Sequence, residues 1–263
     1  MRSDIDCGGE DLVDSSKENL VEVMEAMKVS PTGETEIKKN TLIREHRLLV
    51  KVNGSTKFQI TCTKDCLKEL VVGRLFLDGW IEKFDDISEM KFSKMDREVC
   101  ANVPKCESVV GRDLQSVPTS EPVVSRELQN VPEFEYQDGW IFKLIKEFSK
   151  GMPLHDETRG THSCILAKED EILFSCEDIG RHNAVDKAIG CALINGIDFH
   201  KCLIFTSGRV PVDMVEKAII AGVPVIVSKA VTTYEAVELA KKYRVTIVSR
   251  AYSEGYEVYK IVK

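Results

Sequence analysis

The chain has 263 residues, of which 43% are hydrophobic, and its formal net charge is −7. This length allows one large domain or two modest ones, and the negative charge argues against a general nucleic-acid binder. The sequence contains no run of about 18 apolar residues, so no membrane span is predicted. The N-terminus has no apolar signal core, and the cytoplasm is therefore the expected location.

Residues 1–40 lack aromatic residues and carry five basic and ten acidic side chains. Such a composition cannot bury much apolar surface, so it predicts a poorly ordered acidic leader. The alternative within it is a short helix through Leu20, Met24 and Met27, which are spaced at helical intervals.

Residues 41–136 are predicted to form a small N-terminal α/β domain. Alternating apolar residues on either side of Asn53-Gly54 predict a β-hairpin, because this dipeptide favours the tight turn that joins two antiparallel strands. A helix is expected next, with Thr63 or Asp65 as its N-terminal cap.

The second half of this region is different in character. Residues 97–103 alternate in polarity and predict a strand, after which prolines and polar residues predict an exposed loop. A heptad at 112–118 returns at 126–132, which is too short for a repeat fold and indicates a tolerant surface segment. Cys106 lies on this loop, whereas Cys100 lies within the predicted strand.

The nine cysteines do not read as a disulfide framework, because their number is odd, their spacing is irregular and no C-x-x-C pair occurs. The cysteines that lie in apolar runs are predicted to be small residues of the core. Cys62 and Cys66 have a spacing that a metal could use, but no second ligand pair follows, so structural roles are favoured and no metal site is predicted.

Residues 137–263 alternate strands with helices. Asp138 is expected to cap a first helix that Gly151 ends. The expected strands are 163–167, 171–175, 202–206, 223–227 and 245–248, with 256–262 as a further candidate. This alternation predicts a layered α/β domain with a largely parallel sheet.

The stretch 176–187 combines a strand end, a tight turn and a helix start. A helix N-terminus offers unpaired N–H groups and partial positive charge, so it favours an anion. Gly180 allows a ligand to approach the backbone, and Arg181 can bind a phosphate or carboxylate through two hydrogen bonds. The alternative is that Asn183 or Asp178 caps the helix while Arg181 pairs with a carboxylate.

Ligands of such sheets lie beyond the carboxyl ends of the strands. Three loops are expected to meet there, and we call them together the anion cradle. They carry Gly180, Arg181 and His182; Ser207, Gly208 and Arg209; and Ser228, Lys229, Thr232 and Thr233. The alternative for His182, and for His162, is a core histidine. Neither G-x-G-x-x-G nor G-x-x-x-x-G-K-[ST] occurs, so no standard dinucleotide signature applies.

These residues resemble a known family. The sequence Glu-Asp-Ile-Gly-Arg-His-Asn-Ala-Val-Asp-Lys at 177–187, with Ser-Gly-Arg at 207–209 and the segment 236–240, resembles the formate dehydrogenase accessory sulfurtransferase family, FdhD. Residues 158–162 look like its TGGxH segment and residues 62–81 like its N-terminal helix. The similarity runs from about residue 40 to the C-terminus.

The resemblance implies a three-layer α/β/α cytidine-deaminase-like domain, a smaller N-terminal α/β domain and a homodimer. It implies a sulfur carrier that acts between a cysteine desulfurase and formate dehydrogenase. The client would be the molybdenum cofactor in its bis-molybdopterin guanine dinucleotide form. The family's cofactor-contacting stretch matches Arg250, Ala251, Tyr252, Ser253, Glu254 and Gly255.

The family carries a C-x-x-C pair on a loop that matches residues 104–111. Cys106 stands at the first cysteine and is the predicted sulfur-carrying residue, whereas Val109 replaces the second. The proline of the family's TP motif is Lys64 here. Loss of the second cysteine favours an alternative, a chaperone that binds the cofactor or a guanine nucleotide without moving sulfur. A zinc deaminase is disfavoured, because its H-x-E and P-C-x-x-C motifs are absent.

Overall fold

The computed structural model describes residues 20–104 and 128–260. Cys106 and the loop around it, the first 19 residues and the last three lie outside the described residues. The helices and strands are, in chain order, β1 (Val21–Val29), β2 (Thr35–Ile43), β3 (His46–Val52), β4 (Ser55–Cys62), α1 (Leu67–Leu77), β5 (Glu89–Phe92), β6 (Glu98–Asn102), α2 (Asp138–Ser149), α3 (Pro153–Thr158), β7 (His162–Lys168), β8 (Glu171–Asp178), α4 (Arg181–Ile194), β9 (Cys202–Thr206), α5 (Val212–Ala221), β10 (Val225–Ser228), α6 (Tyr234–Tyr243), β11 (Thr246–Tyr252) and β12 (Gly255–Tyr259).

β1 and β2 form a separate two-stranded antiparallel sheet, which we call the N-terminal arm. Most of the predicted acidic leader that the structure describes is therefore strand, and the alternative of a helix through Leu20, Met24 and Met27 is wrong. The reason is visible in the alternation of apolar and polar residues along β1, which is a period of two. Gly33, with φ of 86°, allows the turn between the strands.

A four-stranded sheet follows in the order β4-β3-β6-β5. The predicted hairpin of β3 and β4 is confirmed, and Asn53 and Gly54 at its turn have positive φ angles of 51° and 76°. The predicted strand at 97–103 is confirmed as β6, which pairs in parallel with β3. Cys100 lies exposed on this strand.

The large sheet has six strands in the order β12-β11-β10-β9-β7-β8. β8, β9, β10 and β11 run in one direction, whereas β7 and β12 run in the other. The prediction of a largely parallel sheet is thus wrong. Of the five pairs of neighbouring strands, only β9 with β10 and β10 with β11 are parallel. A tight turn at Glu169-Asp170 joins β7 to β8, and a link this short permits only an antiparallel pair.

Helices cover both faces of the six-stranded sheet. α2 packs on one face, where the rings of Phe148 and Phe205 stack with centroids 4.5 Å apart. α4, α5 and α6 pack on the other face, and the same hydrophobic core continues from Ile189 of α4 to Leu70 of α1 and Leu48 of β3. The core is therefore continuous across the predicted domain boundary at residue 136.

The caps of three helices differ in how well the sequence predicted them. Neither Thr63 nor Asp65 caps α1, because Cys66 occupies the N-cap in a left-handed conformation with φ of 45°. Asp138 is the first residue of α2 rather than its cap. The hydroxyl of Thr233 caps α6 by accepting the N–H of Ala236. None of the helices that the structure describes has the length and apolar character needed to cross a membrane.

α1 and α4 touch backbone to backbone at two glycines. A Cβ at Gly190 would overlap the carbonyl oxygen of Glu69, and a Cβ at Gly73 would overlap that of Asp186. Such close contact leaves no room for a side chain, so these glycines set the spacing of the two helices. This contact positions the four-stranded sheet, which packs on α1, against the six-stranded sheet, which packs on α4.

We expect Gly190→Ala to lower the free energy of unfolding by at least about 2 kcal/mol, because the methyl group would force the helices apart. Urea unfolding of both chains measures the difference. Gly139→Ala in α2 is the matched control, since a Cβ there meets nothing within 4 Å. Equal stabilities of the two variants would contradict the tight helix contact.

Candidate functional site

The carboxyl ends of β8, β9, β10 and β11 lie at one edge of the six-stranded sheet, because these four strands run in the same direction. The three loops of the anion cradle follow β8, β9 and β10, so the topology brings them together as predicted. His162, at the start of β7, lies at the same edge. Its Nδ1 is 3.3 Å from the hydroxyl of Ser207, which also accepts a hydrogen bond from the N–H of Ser163.

Arg181 and Gly208 bring the first two loops into contact. A Cβ at Gly208 would lie 2.9 Å from Cβ and 3.1 Å from Cδ of Arg181, so the glycine makes room for the arginine stem. The Nε of Arg181 is buried and has no hydrogen-bond partner among the described residues. The expected alternative, in which Arg181 pairs with a carboxylate, does not occur in the described part of the chain. Arg181 can therefore donate to an anionic ligand.

Hydrogen bonds between the main chain of Gly208 and two hydroxyl groups hold the second loop in place. The N–H of Gly208 donates to the hydroxyl of Thr206 at 3.1 Å, and the hydroxyl of Ser228 donates to the carbonyl of Gly208 at 2.7 Å. Arg209 is exposed at this rigid turn. Its guanidinium is thus presented to solvent on a fixed backbone, as a site for anions requires.

His182 does not point freely into the cradle. Its Nε2 lies 3.2 Å from the carboxylate of Asp213, in the first turn of α5. Burial lowers the pKa of the imidazole, the positive charge of Lys217 lowers it further, and these effects outweigh the attraction of Asp213. His182 is therefore chiefly a neutral hydrogen-bonding group near pH 7, and it ties α4 to α5.

The lysine of the third loop contacts an aromatic ring of the protein itself. The ammonium of Lys229 lies over the ring of Phe148, 4.7 Å from its centroid, on the α2 side of the sheet. Burial lowers the pKa of this lysine. Lys229 thus makes a cation–π contact within the protein while keeping its positive charge.

The predicted cofactor-contacting stretch 250–255 forms the end of β11 and the turn into β12, at the same edge of the sheet. The N–H of Arg250 donates to the carbonyl of Ala230 at 3.1 Å and so joins the stretch to the third loop. Tyr252, Ser253 and Glu254 are exposed there, and Gly255 has φ of 146°. Ala251 is fully buried, so its side chain belongs to the core and only its backbone could meet a ligand.

A buried lysine behind the cradle escaped prediction. Lys187 is fully buried, and its ammonium donates to the hydroxyl of Thr63 and the carboxylate of Asp65, both at 2.6 Å. It also lies 2.9 Å from Asp178 and from the carbonyl of Glu177. Burial alone would lower the pKa of this ammonium, but the charges of Asp65 and Asp178 outweigh it and the pKa is raised. We call these residues the Lys187 cluster.

Asp178 links this cluster to the turn at the start of α4. One carboxylate oxygen accepts the N–H of Thr63 at 3.0 Å, and the other accepts the N–H of Gly180 at 2.9 Å and the amide of Asn183 at 2.8 Å. The same Asn183 amide donates to the carbonyl of Thr61 at 2.8 Å. Asp178 and Asn183 thus hold the turn, although the N-cap itself is Gly180, without a side-chain bond.

Two further acids of the motif at 177–187 also hold neighbouring segments in place. The carboxylate of Glu177 accepts the N–H groups of Leu154 and His155 at 2.8 and 2.7 Å, so it caps the short helix α3. Asp186 forms a close ion pair with Lys217 of α5. The acids of the motif therefore hold neighbouring segments in place, and among its side chains Arg181 is left with donor capacity for a ligand.

The described cysteines offer few reactive thiols. Burial raises the pKa of Cys62 to about 12 and that of Cys202 to about 11, and it also raises the pKa of Cys164. A thiol with such a pKa is inert as a nucleophile at neutral pH. No group of three potential metal ligands occurs within the described residues.

A cleft of about 440 Å³ lies away from the cradle. It is lined by residues 128–132 with His200 and Gly222, which precede β9 and β10. The cleft is therefore at the amino ends of the parallel strands, opposite the edge where the charged loops meet. Its position gives it no part in the anion cradle.

We expect Lys187→Met to lower the free energy of unfolding by about 3–5 kcal/mol, because Asp178 would remain buried without its counter-charge. Urea unfolding measures this change. Lys143→Met is the control, since the 2.8 Å ion pair of Lys143 with Asp170 is exposed and should contribute less than about 1 kcal/mol. A loss no larger than that of the control would refute the role of the cluster.

Comparison with known proteins identifies the family and the fold of this chain. The family model described as the FdhD/NarQ family matches residues 43–262. Relatives named sulfur carrier protein FdhD include that of Wolinella succinogenes, 29% identical over 84% of this chain and 80% of the relative, and that of Bacillus subtilis, 27% identical over 86% and 91%. A crystal structure described as a formate dehydrogenase accessory protein from Desulfotalea psychrophila has the same fold, with a TM-score of 0.76 at 22% identity over 92% of this chain and 97% of that one. Because the family model spans most of the sequence, the chain belongs to the FdhD/NarQ family.

Proposed function

We propose that this protein is a sulfur carrier in the maturation of formate dehydrogenase. The observation that supports the proposal is the anion cradle, in which the stem of Arg181 lies against Gly208, the sequence neighbour of Arg209, in a chain of the FdhD/NarQ family. Relatives that match over most of their own length bear the name sulfur carrier protein FdhD. The cradle would bind the client, and a cysteine would carry the sulfur.

The proposed client is the molybdenum cofactor in its bis-molybdopterin guanine dinucleotide form. Its pyrophosphates suit the unpartnered Nε of Arg181, the exposed Arg209 and the N-terminus of α4. Its guanines suit an exposed aromatic ring, which Tyr252 supplies at the same edge. The site thus offers both charge and a stacking surface to a dinucleotide.

Sulfur would enter from the persulfide of a cysteine desulfurase. The thiolate of Cys106 attacks the terminal sulfur of that persulfide, a new S–S bond forms on Cys106, the donor S–S bond breaks, and the donor thiolate takes up a proton. This exchange needs no outside oxidant. The inertness of the buried thiols supports Cys106 as the carrier over Cys62, Cys164 and Cys202.

The second candidate is a chaperone that binds the cofactor or a guanine nucleotide without moving sulfur. The observation that favours it is Val109, which stands where the family has the second cysteine of its C-x-x-C pair. Both candidates need the anion cradle, and only the sulfur carrier needs Cys106. Separate tests of the cradle and of the cysteine therefore distinguish them.

For the cradle, we expect Arg181→Ala and Arg209→Ala each to weaken GDP binding by about 1.5–3 kcal/mol, the loss of a charge-assisted hydrogen bond. Isothermal titration calorimetry at fixed salt measures the affinities. Lys168→Ala is the control, because it removes the same charge from the opposite end of β7. Wild-type affinity in both arginine variants would remove the site.

For the carrier residue, the protein is incubated with a cysteine desulfurase and cysteine, and its intact mass is measured. We expect wild type and Cys100→Ser to gain one sulfur atom and Cys106→Ser to gain none, while GDP binding stays unchanged in all three. Cys100 is the matched control because it is exposed but held on β6. No sulfur on the wild-type chain, with GDP still bound, would favour the chaperone.

A further inference from the structure

A pair of buried thiols flanks the first loop of the anion cradle and has no part in the proposed sulfur transfer. Cys176 lies near the end of β8 and Cys191 near the end of α4, and their Sγ atoms are 4.0 Å apart. Each of the two residues is only 2% exposed. The segment 177–190 between them contains the turn at Gly180 and the binding group Arg181.

Strand pairing and helix packing determine where the two thiols meet. Cys176 lies opposite Cys164 of β7, and both belong to the hydrophobic core that also contains Cys191 of α4. Cys191 directly follows Gly190, where a Cβ would lie 1.9 Å from the carbonyl oxygen of Glu69 in α1. α4 is therefore held between α1 and the sheet, and this packing keeps the two sulfur atoms close together.

A disulfide at this place requires only a small movement. An S–S bond is about 2.05 Å long, so the sulfur atoms of Cys176 and Cys191 must approach by about 2 Å. Rotation of a cysteine side chain about χ1 between staggered positions moves its sulfur atom by more than this distance. Neither β8 nor α4 has to unfold for the bond to form.

We propose that Cys176 and Cys191 are a redox pair, which hydrogen peroxide converts to a disulfide that locks the first loop of the anion cradle. One sulfur attacks a peroxide oxygen, so that an S–O bond forms, the O–O bond breaks and the leaving hydroxide takes the thiol proton as water. The second sulfur then attacks the sulfenic sulfur, so that the S–S bond forms, the S–O bond breaks and a second water leaves with the second thiol proton. The two thiols lose two electrons, and the peroxide gains them.

The cross-link holds together the two elements on which the loop depends. Asp178, at the end of β8, accepts the N–H of Gly180 at the start of α4 at 2.9 Å. A disulfide that closes a loop of about 15 residues removes the open states of that loop. Arg181 thereby keeps its position when the chain meets an oxidant. The value of this lock for a client rests on the proposed function, whereas the formation of the disulfide does not.

Peptide mapping without reduction tests the disulfide. The full chain is treated with hydrogen peroxide, the remaining thiols are alkylated, and the chain is cleaved with trypsin. Cys176 and Cys191 fall on separate tryptic peptides, 169–181 and 188–201, and each peptide contains one cysteine. We expect these two peptides to be joined until a reductant is added. Separate peptides, or a link from 169–181 to the Cys164 peptide 160–168, would overturn the proposal.

Amide hydrogen exchange, followed by mass spectrometry, tests the lock. We expect the amides of 180–191 to exchange at least about tenfold more slowly in the oxidised chain than in the reduced chain, because the cross-link prevents their local opening. Cys176→Ser and Cys191→Ser should each abolish this difference. Cys164→Ser is the matched control, since it removes a buried thiol from the same core and leaves the pair intact.

Equal exchange in the oxidised and reduced wild-type chains would overturn the lock. So would a difference that persists in both Cys176→Ser and Cys191→Ser. Neither measurement uses GDP or a cysteine desulfurase. Failure of the redox pair is therefore distinguishable from failure of the proposed sulfur carrier.

Discussion

Burying the ammonium of Lys187 removes it from water, which is very unfavourable unless oxygen acceptors and counter-charges surround it. Those groups come from three places in the sequence: α4 carries the lysine, the end of β8 supplies Asp178, and the turn after β4 supplies Thr63 and Asp65. The cluster can form only when all three segments are in place. The four-stranded sheet, the six-stranded sheet and the start of α4 therefore depend on one another.

This dependence explains how a loop of the anion cradle keeps its shape. Asp178 shares its two oxygens between the Lys187 cluster and the turn at Gly180, so the same carboxylate that neutralises the lysine also fixes the first turn of α4. The glycine contact of α1 with α4 adds a second constraint on the same helix. Arg181 then projects from a backbone held on both sides, which gives a binding group a defined position.

The sequence predicted those parts of the fold that depend on local periodicity. The strands from β7 to β11 and the helices from α4 to α6 follow from repeated apolar spacing, and the Asn53-Gly54 turn follows from backbone preference. It did not predict the antiparallel insertion of β7 or the Lys187 cluster. Both depend on groups that are distant in the sequence and meet only in the folded chain. The charged residues of 177–187 give the same sequence signal whether they bind a ligand or one another.

The arm was missed for a different reason. Its acidic composition resembles that of a disordered leader, and the alternation in β1 is interrupted by Glu25, which weakens the strand signal. The pairing of Glu25 with Lys39 across the ribbon becomes visible only when β2 is placed beside β1. Composition averages over both strands, whereas the structure separates an apolar face from a polar one.

The distribution of charge reconciles an acidic protein with the anionic client proposed for it. The net charge of −7 opposes loose binding of nucleic acids and other polyanions to the surface as a whole. At the cradle, however, two of the acids near the loops are already paired with lysines: Asp178 with Lys187 and Asp186 with Lys217. Because these two charges are cancelled locally, they oppose the positive charges of Arg181 and Arg209 less than unpaired carboxylates would. This distribution of charge supports the proposal that an anionic client binds at this edge of the sheet and not over the surface as a whole.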